Sequence, residues 1–311
     1  MRPAQIGAII EQVNSLWGLG DIEIALEANP HEMNALDWRG YSEVGLNRMS
    51  LGAQSFHDEA LKFLGRDHDV AAARAALDLA MEIFPSVSAD LIFGWAGQTN
   101  EMLDSDLQTL LAAQVPHIST YQLTIEEGTA FAKAEGRGQS RAVDSDLSAD
   151  FYDHVRQTLG ASGFDHYEVS NFAQRGHRSK HNLAYWRGLD YAGVGPGAHG
   201  RMTKDGRRQA TIAHLRPSAY TRAVTEGGSG IDRLETLSGA DWAAEYLLMG
   251  LRIDEGISKS RYADLAGEPL VGGTLNTLIR DGFLIEERDK LKATTEGRLV
   301  LNAVTEALLL T

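Results

Sequence analysis

Residues 48–56, RMSLGAQSF, follow a helical segment and are predicted to form the second of four strands. The other three are predicted at Asp21–Glu27, Val87–Trp95 and Ile118–Ile125, with helical segments between them. Strands that alternate with helices through short connections are typical of a parallel sheet, open or closed, so the expected fold class is α/β.

Polar residues stand where these predicted strands end. Glu27, Gln54 and Asp90 close the first three strands, and Arg66 lies in the loop after the second. Each of them alone is more simply explained as a solvated loop residue. One polar side chain at each consecutive strand end instead indicates a shared site, because parallel sheets bind ligands at the carboxyl ends of their strands. Two carboxylates, an amide and an arginine suit a ligand that carries hydroxyls, an amine and a carboxylate.

The stretch from Tyr167 to Arg201 is rich in histidine, aromatic residues and glycine. It contains His177, His181 and His199 and ends in the glycine run of residues 193–197. Imidazoles, flat rings and closely approaching backbone suit a large planar ligand or a metal centre. The alternative is a tightly turning loop whose aromatic side chains cover the core, and composition alone favours that alternative.

Bulk composition excludes several classes of function. The chain has 311 residues, a formal net charge of −14 and no cysteine. Its acidity argues against nucleic-acid binding, which needs a basic surface. Without cysteine, thiolate catalysis and cysteine-ligated iron–sulfur or zinc sites are excluded for this chain. No apolar run approaches the roughly 20 residues that cross a bilayer, and the first residues do not form a convincing signal peptide, so a cytoplasmic location is expected.

The C-terminal part of the sequence follows a different pattern. A segment rich in Gly, Ser and Glu at residues 225–230 is a candidate linker. Residues 238–311 then predict three helices, a short hairpin and a last helix, which is a winged-helix-like arrangement. This segment carries more acidic than basic residues, so we expect a packing or docking module and not a DNA-binding one. The predicted domains are therefore residues 1–230 and 238–311.

Several ordered motifs resemble the HemN/HemW family of radical-SAM proteins, the HemW side more closely than true oxygen-independent coproporphyrinogen III oxidases. They are spread over nearly the whole chain. They are LEANP (26–30), RMSLGAQSF (48–56), DLIFG (90–94), GQT (97–99), YQLTIEEGTAFAK (121–133), YEVSNFA (167–173), HNLAYW (181–186) and GPGAH (195–199).

The resemblance implies a partial (β/α)6 radical-SAM barrel that lacks its first strands, with a small C-terminal HemN-type domain. It also implies S-adenosylmethionine contacts at the four strand-end positions described above. For HemW-like members it implies a haem chaperone that passes haem to respiratory acceptor proteins, a class that includes membrane-associated members.

The HNxxYW motif is the haem-related motif that the resemblance implies. A neutral His181 imidazole can take an axial iron position, and the Tyr185 or Trp186 ring can stack on the porphyrin. His199 is a second candidate, and for it a simple hydrogen bond to a loop carbonyl is an equal alternative.

One departure from the family matters most. Family members open with a CxxxCxxC strand that holds a [4Fe–4S] cluster, and no such motif occurs here. Radical-SAM catalysis is therefore not expected from this chain alone, whether the sequence is a truncated form or a degenerate member. The strand at Asp21–Glu27 should form an open sheet edge, through which oligomerisation or aggregation is expected. The alternative function is a fragment of an oxygen-independent coproporphyrinogen III oxidase of porphyrin biosynthesis.

Overall fold

The computed structural model describes residues 1–32 and 34–310. Within it the chain divides into two compact units, Met1–Arg178 and Ser179–Thr311. Each unit has its own sheet or sheets, and each is described separately below. The predicted division at residues 230 and 238 stays a prediction.

The first unit alternates helices and strands up to its fourth strand. Its helices are α1 (Pro3–Trp17), α2 (Ala35–Glu43), α3 (Asp58–Phe63), α4 (Val70–Ile83), α5 (Asn100–Ala112), α6 (Ala130–Glu135) and α7 (Ser145–Ala161), with a 3₁₀ turn at Pro30–Glu32. Its strands are β1 (Ala25–Ala28), β2 (Arg48–Gln54), β3 (Ser86–Phe93), β4 (His117–Gln122), β5 (Asp165–Glu168) and β6 (Asn171–Ala173).

These six strands form one sheet in the order β1-β2-β3-β4-β6-β5. The first four run parallel, and β6 and β5 extend the sheet in antiparallel fashion. The predicted α/β class is therefore confirmed, with four parallel strands in sequence order. Within the described residues β1 pairs with β2 alone, so it forms an edge of the sheet. Association through that edge remains a prediction.

The two faces of the parallel strands differ in chemistry because their side chains alternate. One face carries Met49, Leu51, Ala89 and Leu91, which are almost fully buried in the hydrophobic core. Buried side chains of α2, α4, α5 and α7 complete that core, among them Trp38, Leu77, Leu107, Phe151 and Val155. The opposite face is polar and holds the site described below.

The first strand is shorter than the sequence predicts. The Asn47 side chain accepts a hydrogen bond from Ile24 N at 2.8 Å and donates one to Ile22 O at 2.7 Å. This side chain occupies backbone groups that a strand partner would use, so regular pairing begins only at Ala25.

The second unit contains helices α8 (Lys180–Trp186), α9 (Pro217–Gly227), α10 (Gly239–Gly250), α11 (Lys259–Ala266), α12 (Gly273–Arg280), α13 (Thr295–Leu299) and α14 (Leu301–Leu309). Its strands are β7 (His199–Lys204), β8 (Arg207–Ala213), β9 (Ile231–Thr236), β10 (Ile257–Ser258), β11 (Leu284–Glu287) and β12 (Lys290–Ala293). They form two antiparallel sheets, ordered β7-β8-β9 and β10-β12-β11. The β11–β12 hairpin and its helices match the predicted winged-helix-like arrangement.

Residues 225–230 do not behave as an extended linker. They end α9 and lead directly into β9, which pairs with β8. Gly230 lies so close to the Tyr220 ring that an added Cβ would stand 2.1 Å from it. The small residues of this stretch therefore allow a tight connection between α9 and β9. Composition alone cannot distinguish such a connection from a linker between domains.

Candidate functional site

The polar face of the parallel sheet brings side chains from neighbouring strands together. Glu27 pairs in register with Ser50, and Asp90 pairs with Ser119. Arg48, Ser88 and His117 continue the same face and are buried. A buried surface made of charged groups and hydroxyls is costly unless its members bond to one another or to a ligand. This face is therefore the candidate site of the first unit.

Asp90 is the most perturbed carboxyl group of this face. Burial raises its pKa from 3.8 to about 6, and the negative charge of Glu27 adds to that rise. The hydroxyls of Ser119 and Ser50 and the charge of Arg48 oppose it in part. The Oδ1 atom of Asp90 is buried and has no hydrogen-bond partner among the described residues. Asp90 thus offers an acceptor that a polar ligand could satisfy.

Gln54 ends β2 in a conformation that side chains rarely adopt. Its φ angle is 67°, and the β2–β3 register shifts between Leu51 and Gln54. Its Oε1 atom is buried and also lacks a partner in the described part of the chain. Backbone strain and an unsatisfied buried polar group each cost stability, and together they are typical of ligand-binding positions.

Gly52 leaves room for the Gln54 side chain. A Cβ added to Gly52 would stand 2.8 Å from Gln54 Nε2 and 3.2 Å from Asn29 Oδ1. The glycine of the LGAQ sequence is therefore explained by the close approach of these two side chains.

Asp106 of α5 holds the residues that follow β2 in place through two hydrogen bonds. Its carboxylate accepts hydrogen bonds from Ser55 Oγ at 2.8 Å and from Phe56 N at 2.6 Å. Burial raises the pKa of Asp106, and these two hydrogen bonds lower it in part. Because the residues directly after Gln54 are held in this way, its unusual backbone is set by the fold and does not depend on a ligand.

Arg48 organises the other end of the polar face. Its guanidinium donates to Ser88 Oγ at 2.8 Å and to the His177 carbonyl at 3.1 Å. It also forms an ion pair with Glu23 at 3.3 Å. Burial lowers the pKa of Arg48, while the nearby negative charge of Glu23 raises it. His177, the first histidine of the histidine-rich stretch, accordingly belongs to this network in the first unit.

The antiparallel strands β5 and β6 add a further polar wall. Glu168 accepts hydrogen bonds from Asn171 Nδ2 at 2.6 Å and from Ser170 N at 2.9 Å. His117 Nε2 lies 2.8 Å from the Tyr167 hydroxyl, and burial holds the His117 pKa well below its usual value. His117 is therefore a neutral imidazole near neutral pH.

Tyr121 lies on the same face as Asp90. The residue is 42% exposed, but desolvation on this face raises the pKa of Tyr121 to about 12, and the charge of Asp90 adds to the rise. Tyr121 therefore stays a neutral hydroxyl that can donate a hydrogen bond to a ligand.

Arg66 is the strand-end candidate that the structure does not bring into this face. It is exposed in the loop between α3 and α4, and its backbone N–H bonds to the Leu61 carbonyl at 2.9 Å. Within the described residues its guanidinium makes no hydrogen bond or ion pair. Sequence order placed it correctly after β2, but a long exposed side chain has no single position until a ligand orders it.

The polar face fits S-adenosylmethionine in its donor and acceptor groups. Asp90 Oδ1 and Gln54 Oε1 are unsatisfied acceptors, and Glu27 adds a carboxylate for hydroxyl or ammonium groups. The chain does not fit a [4Fe–4S] cluster, because it contains no cysteine thiolate to ligate iron.

The HNxxYW motif of the second unit forms α8. Ser179 caps this helix through a hydrogen bond from Asn182 N at 3.2 Å. His181 is exposed, and its ring meets the Tyr185 ring edge-on with centroids 4.8 Å apart. The Tyr185 ring in turn meets Tyr191 at 4.5 Å. Residues four apart share one helix face, which explains why the motif places this histidine beside this tyrosine.

Trp186 and His199 have different surroundings from those of His181, Tyr185 and Tyr191. Arg252 lies over the Trp186 ring, 4.7 Å from its centroid. The indole Nε1 is buried without a partner in the described residues. His199 is exposed at the start of β7, where an added Cβ on Gly193 would stand 2.1 Å from the His199 carbonyl oxygen. The glycine run thus allows close backbone approach and leaves the His199 imidazole in solvent.

A small cleft with a cavity volume of about 50 Å³ lies beside α8 in the second unit. Tyr185, Tyr191 and Trp242 contribute to its lining, whereas neither His181 nor His199 does. It is far smaller than ligand pockets, which measure about 300–1,000 Å³. A porphyrin that uses either histidine would therefore lie against the exposed face of α8 or β7 and not inside this cleft.

Sequence reasoning missed most of the polar face. Arg48, Ser50, Ser88, His117 and Ser119 lie within strands and not at strand ends. The available signal was their alternation with apolar residues, as in HISTYQ at 117–122. Such alternation in a parallel sheet, whose faces are usually both apolar, indicates a strand with one polar, ligand-facing side.

The fold and the polar strand ends define a protein of the radical-SAM class. The family model described as Radical SAM superfamily matches residues 3–110, and the HemN C-terminal domain matches residues 237–300. The fold resembles the solved coproporphyrinogen III oxidase HemN from Escherichia coli with a TM-score of 0.78 at 20% identity, covering 99% of this chain and 74% of that one. Parallel strands with a HemN-type C-terminal segment confirm the fold expected from the sequence.

The chain belongs to the HemN/HemW family. It is 34% identical to the heme chaperone HemW of Escherichia coli, over 93% of this chain and 75% of that protein. It is also 35% identical to the mitochondrial radical S-adenosyl methionine domain-containing protein 1 of Danio rerio, over 99% of this chain and 72% of that protein. None of the described helices is long and apolar enough to span a membrane.

Proposed function

We propose that this chain is a haem-binding, chaperone-like protein of the HemW group that delivers haem to acceptor proteins. The observation that carries the proposal is the surface of α8, where an exposed imidazole stands beside an aromatic ring. The similarity to proteins named heme chaperone supports it. The proposal includes a cytoplasmic location and acceptors of the respiratory chain.

His181 and Tyr185 have different roles in the proposed haem site. A neutral His181 imidazole supplies an axial nitrogen to iron, and the Tyr185 ring packs against the porphyrin. A single ligand on an exposed helix holds haem less firmly than an enclosed pocket with two ligands. Such a site suits a carrier, which must release its cargo. His199 is the second candidate ligand, since its exposed imidazole makes no side-chain hydrogen bond within the described residues.

The polar sheet face contributes a second part of the proposal. We propose that Glu27, Gln54 and Asp90, with Arg66 ordered on binding, hold S-adenosylmethionine. S-adenosylmethionine would bind to this face without being cleaved reductively, because this chain has no cysteine to hold the iron–sulfur cluster. Binding is therefore proposed here without radical catalysis by this chain.

Haem titration of the purified, tag-free chain tests the first part. We expect a saturable Soret change that His181→Ala weakens at least about tenfold, since an axial ligand is lost. His199→Ala identifies or excludes the second ligand. His214→Ala is the matched control, because His214 lies 3.2 Å from Asp232 and is proposed to have no role in haem binding. If the His181→Ala and His199→Ala variants both bound haem as tightly as the native chain, neither histidine would be the proposed ligand.

Anaerobic competition against bound haem, read from the haem Soret band, with coproporphyrinogen III and with iron-free porphyrin separates the two family functions. A haem carrier requires iron for its axial contact, so we expect haem to bind more tightly than iron-free porphyrin. Preference for coproporphyrinogen would instead favour the oxidase-fragment alternative. Delivery is then tested by mixing the haem-loaded chain with an apo-acceptor. Transfer no faster than from free haem would contradict the chaperone role.

A further inference from the structure

Two histidines and an aspartate meet outside both sites described above. His31 belongs to the 3₁₀ turn Pro30–Glu32 after β1, and Asp67 and His68 lie in the loop between α3 and α4. One ligand atom from each residue can be chosen so that all lie within 4.8 Å of one another. His31 Nδ1 lies 2.9 Å from Asp67 Oδ1.

His68 has the geometry of a prepared metal ligand. Its side chain is only 1% exposed, and its Nε2 lies 3.2 Å from the Ala53 carbonyl oxygen. A carbonyl oxygen can only accept, so Nε2 carries the proton and Nδ1 carries the lone pair. Nδ1 is buried without a hydrogen-bond partner in the described residues and lies 4.0 Å from Asp67 Oδ1. Metal-bound histidines almost always show this arrangement, in which the second ring nitrogen donates to a carbonyl or carboxylate.

The other two residues can adjust around this fixed imidazole. The side chains of His31 and Asp67 are 40% and 68% exposed. Ligands of a tetrahedral zinc ion stand about 3.4 Å apart, given metal–ligand bonds of about 2.0–2.2 Å. The two separations from Asp67, 2.9 Å and 4.0 Å, bracket that value, and the ligand atoms of the three residues all lie within 4.8 Å of one another. Movement of the two exposed side chains can therefore bring the set to metal-binding distances.

We infer that His31, Asp67 and His68 form a binding site for a divalent transition-metal ion, with zinc as the best match. Two imidazoles and one carboxylate suit zinc, and three protein ligands leave a fourth position for water or an incoming group. A bound ion would tie the turn after β1 to the loop that carries Arg66. This site shares no ligand residue with the proposed haem and S-adenosylmethionine sites.

Cobalt titration of the tag-free, full chain tests the inference through visible absorption bands, with zinc as competitor. We expect one equivalent of Co²⁺ with bands of a low-coordinate site, which Zn²⁺ removes. His31→Ala and Asp67→Asn should each weaken binding at least about tenfold. Both positions are exposed, so these variants should fold normally, whereas His68→Ala also loses the contact to Ala53 and is a secondary variant.

His154→Ala is the matched control. His154 Nε2 lies 3.3 Å from Asp104, which gives a histidine–carboxylate pair without a third ligand among the described residues. Its removal should leave the cobalt bands unchanged. Added zinc should also raise the melting temperature of the native chain but not of His31→Ala. Bands that persist in His31→Ala and Asp67→Asn, or no binding of one equivalent, would overturn the inference.

Discussion

The polar sheet face of the first unit and the α8 surface of the second unit are built in opposite ways. Apart from Glu27, which is exposed on the edge strand, the sheet face is largely buried, and Arg48 is held there by Ser88 of the neighbouring strand and by Glu23. The α8 surface consists of an exposed histidine and rings that contact one another along one helix and the loop after it. A substitution in the first region should therefore change stability, whereas one in the second should change binding alone.

The buried ion pair of Arg48 should show the largest effect. Arg48→Ala leaves Glu23 and Ser88 without their partner in a buried setting, which typically costs about 3–5 kcal/mol in the free energy of unfolding. Arg39→Ala is the matched control, since the Arg39–Glu82 pair is more than half exposed and should contribute about 0–1 kcal/mol. Urea unfolding of both variants measures the difference. Equal losses would show that the sheet face is not a buried network.

Asp90→Asn should raise stability in a pH-dependent way. The Asp90 carboxyl binds its proton more tightly in the native state than in the unfolded state. Its contribution to the free energy of unfolding is therefore complete below about pH 3.8 and is lost as pH rises through about 6. At pH 8 the ionised group should therefore cost roughly 3 kcal/mol. Asparagine avoids that cost, so the variant should be more stable at pH 8 and lose its advantage near pH 4.

Unfolding curves measured from pH 4 to pH 8 check this prediction. Asp78→Asn, at an exposed position of α4, makes the same change in formal charge and is the control. A stability difference between Asp90→Asn and the native chain that does not vary with pH would contradict the proposed burial of the charge. Binding of S-adenosylmethionine should weaken in Asp90→Asn, because the proposed site loses a carboxylate.

Gln54→Gly should separate stability from binding. Glycine adopts a φ of 67° without strain, so the free energy of unfolding should rise by about 1 kcal/mol. Affinity for S-adenosylmethionine, measured by calorimetry, should fall at least about tenfold because the Gln54 amide is lost.

Gln114→Gly is the matched control for that variant. Gln114 also has a positive φ of 56° but is exposed. It should gain similar stability with unchanged affinity for the cofactor. Unchanged affinity in Gln54→Gly as well would remove Gln54 from the proposed site.

His181→Ala should show the smallest effect on stability. The imidazole is exposed, and surface substitutions usually change the free energy of unfolding by less than about 0.5 kcal/mol. Thermal unfolding without haem should therefore match that of the native chain, while haem binding is lost. A large loss of stability would mean that α8 depends on this contact, and the contrast between the two regions would fail.

The strand-end argument selected Glu27, Gln54 and Asp90 from sequence alone because the carboxyl ends of parallel strands lie along one edge. The structure places Gln54 at the end of β2 and Asp90 within β3, and their role in binding stays a prediction. The same logic could not place Arg66, whose long exposed side chain has many conformations. It also missed Arg48 and His117, because whether a polar residue within a strand faces a core or a ligand depends on what covers that face. The strained backbone of Gln54 was likewise invisible, since nothing in its residue type indicates a positive φ.

The α/β alternation, the family resemblance and the absence of thiolates follow from the residues alone, since they depend on local pattern and residue identity. Which polar groups are buried together follows only from the folded structure. It assigned His177 to the Arg48 network, left His181 exposed on α8, and brought His31 to Asp67 and His68 across a separation of more than thirty residues. Burial and long-range proximity arise from the packing of distant segments, and no local window of sequence contains them.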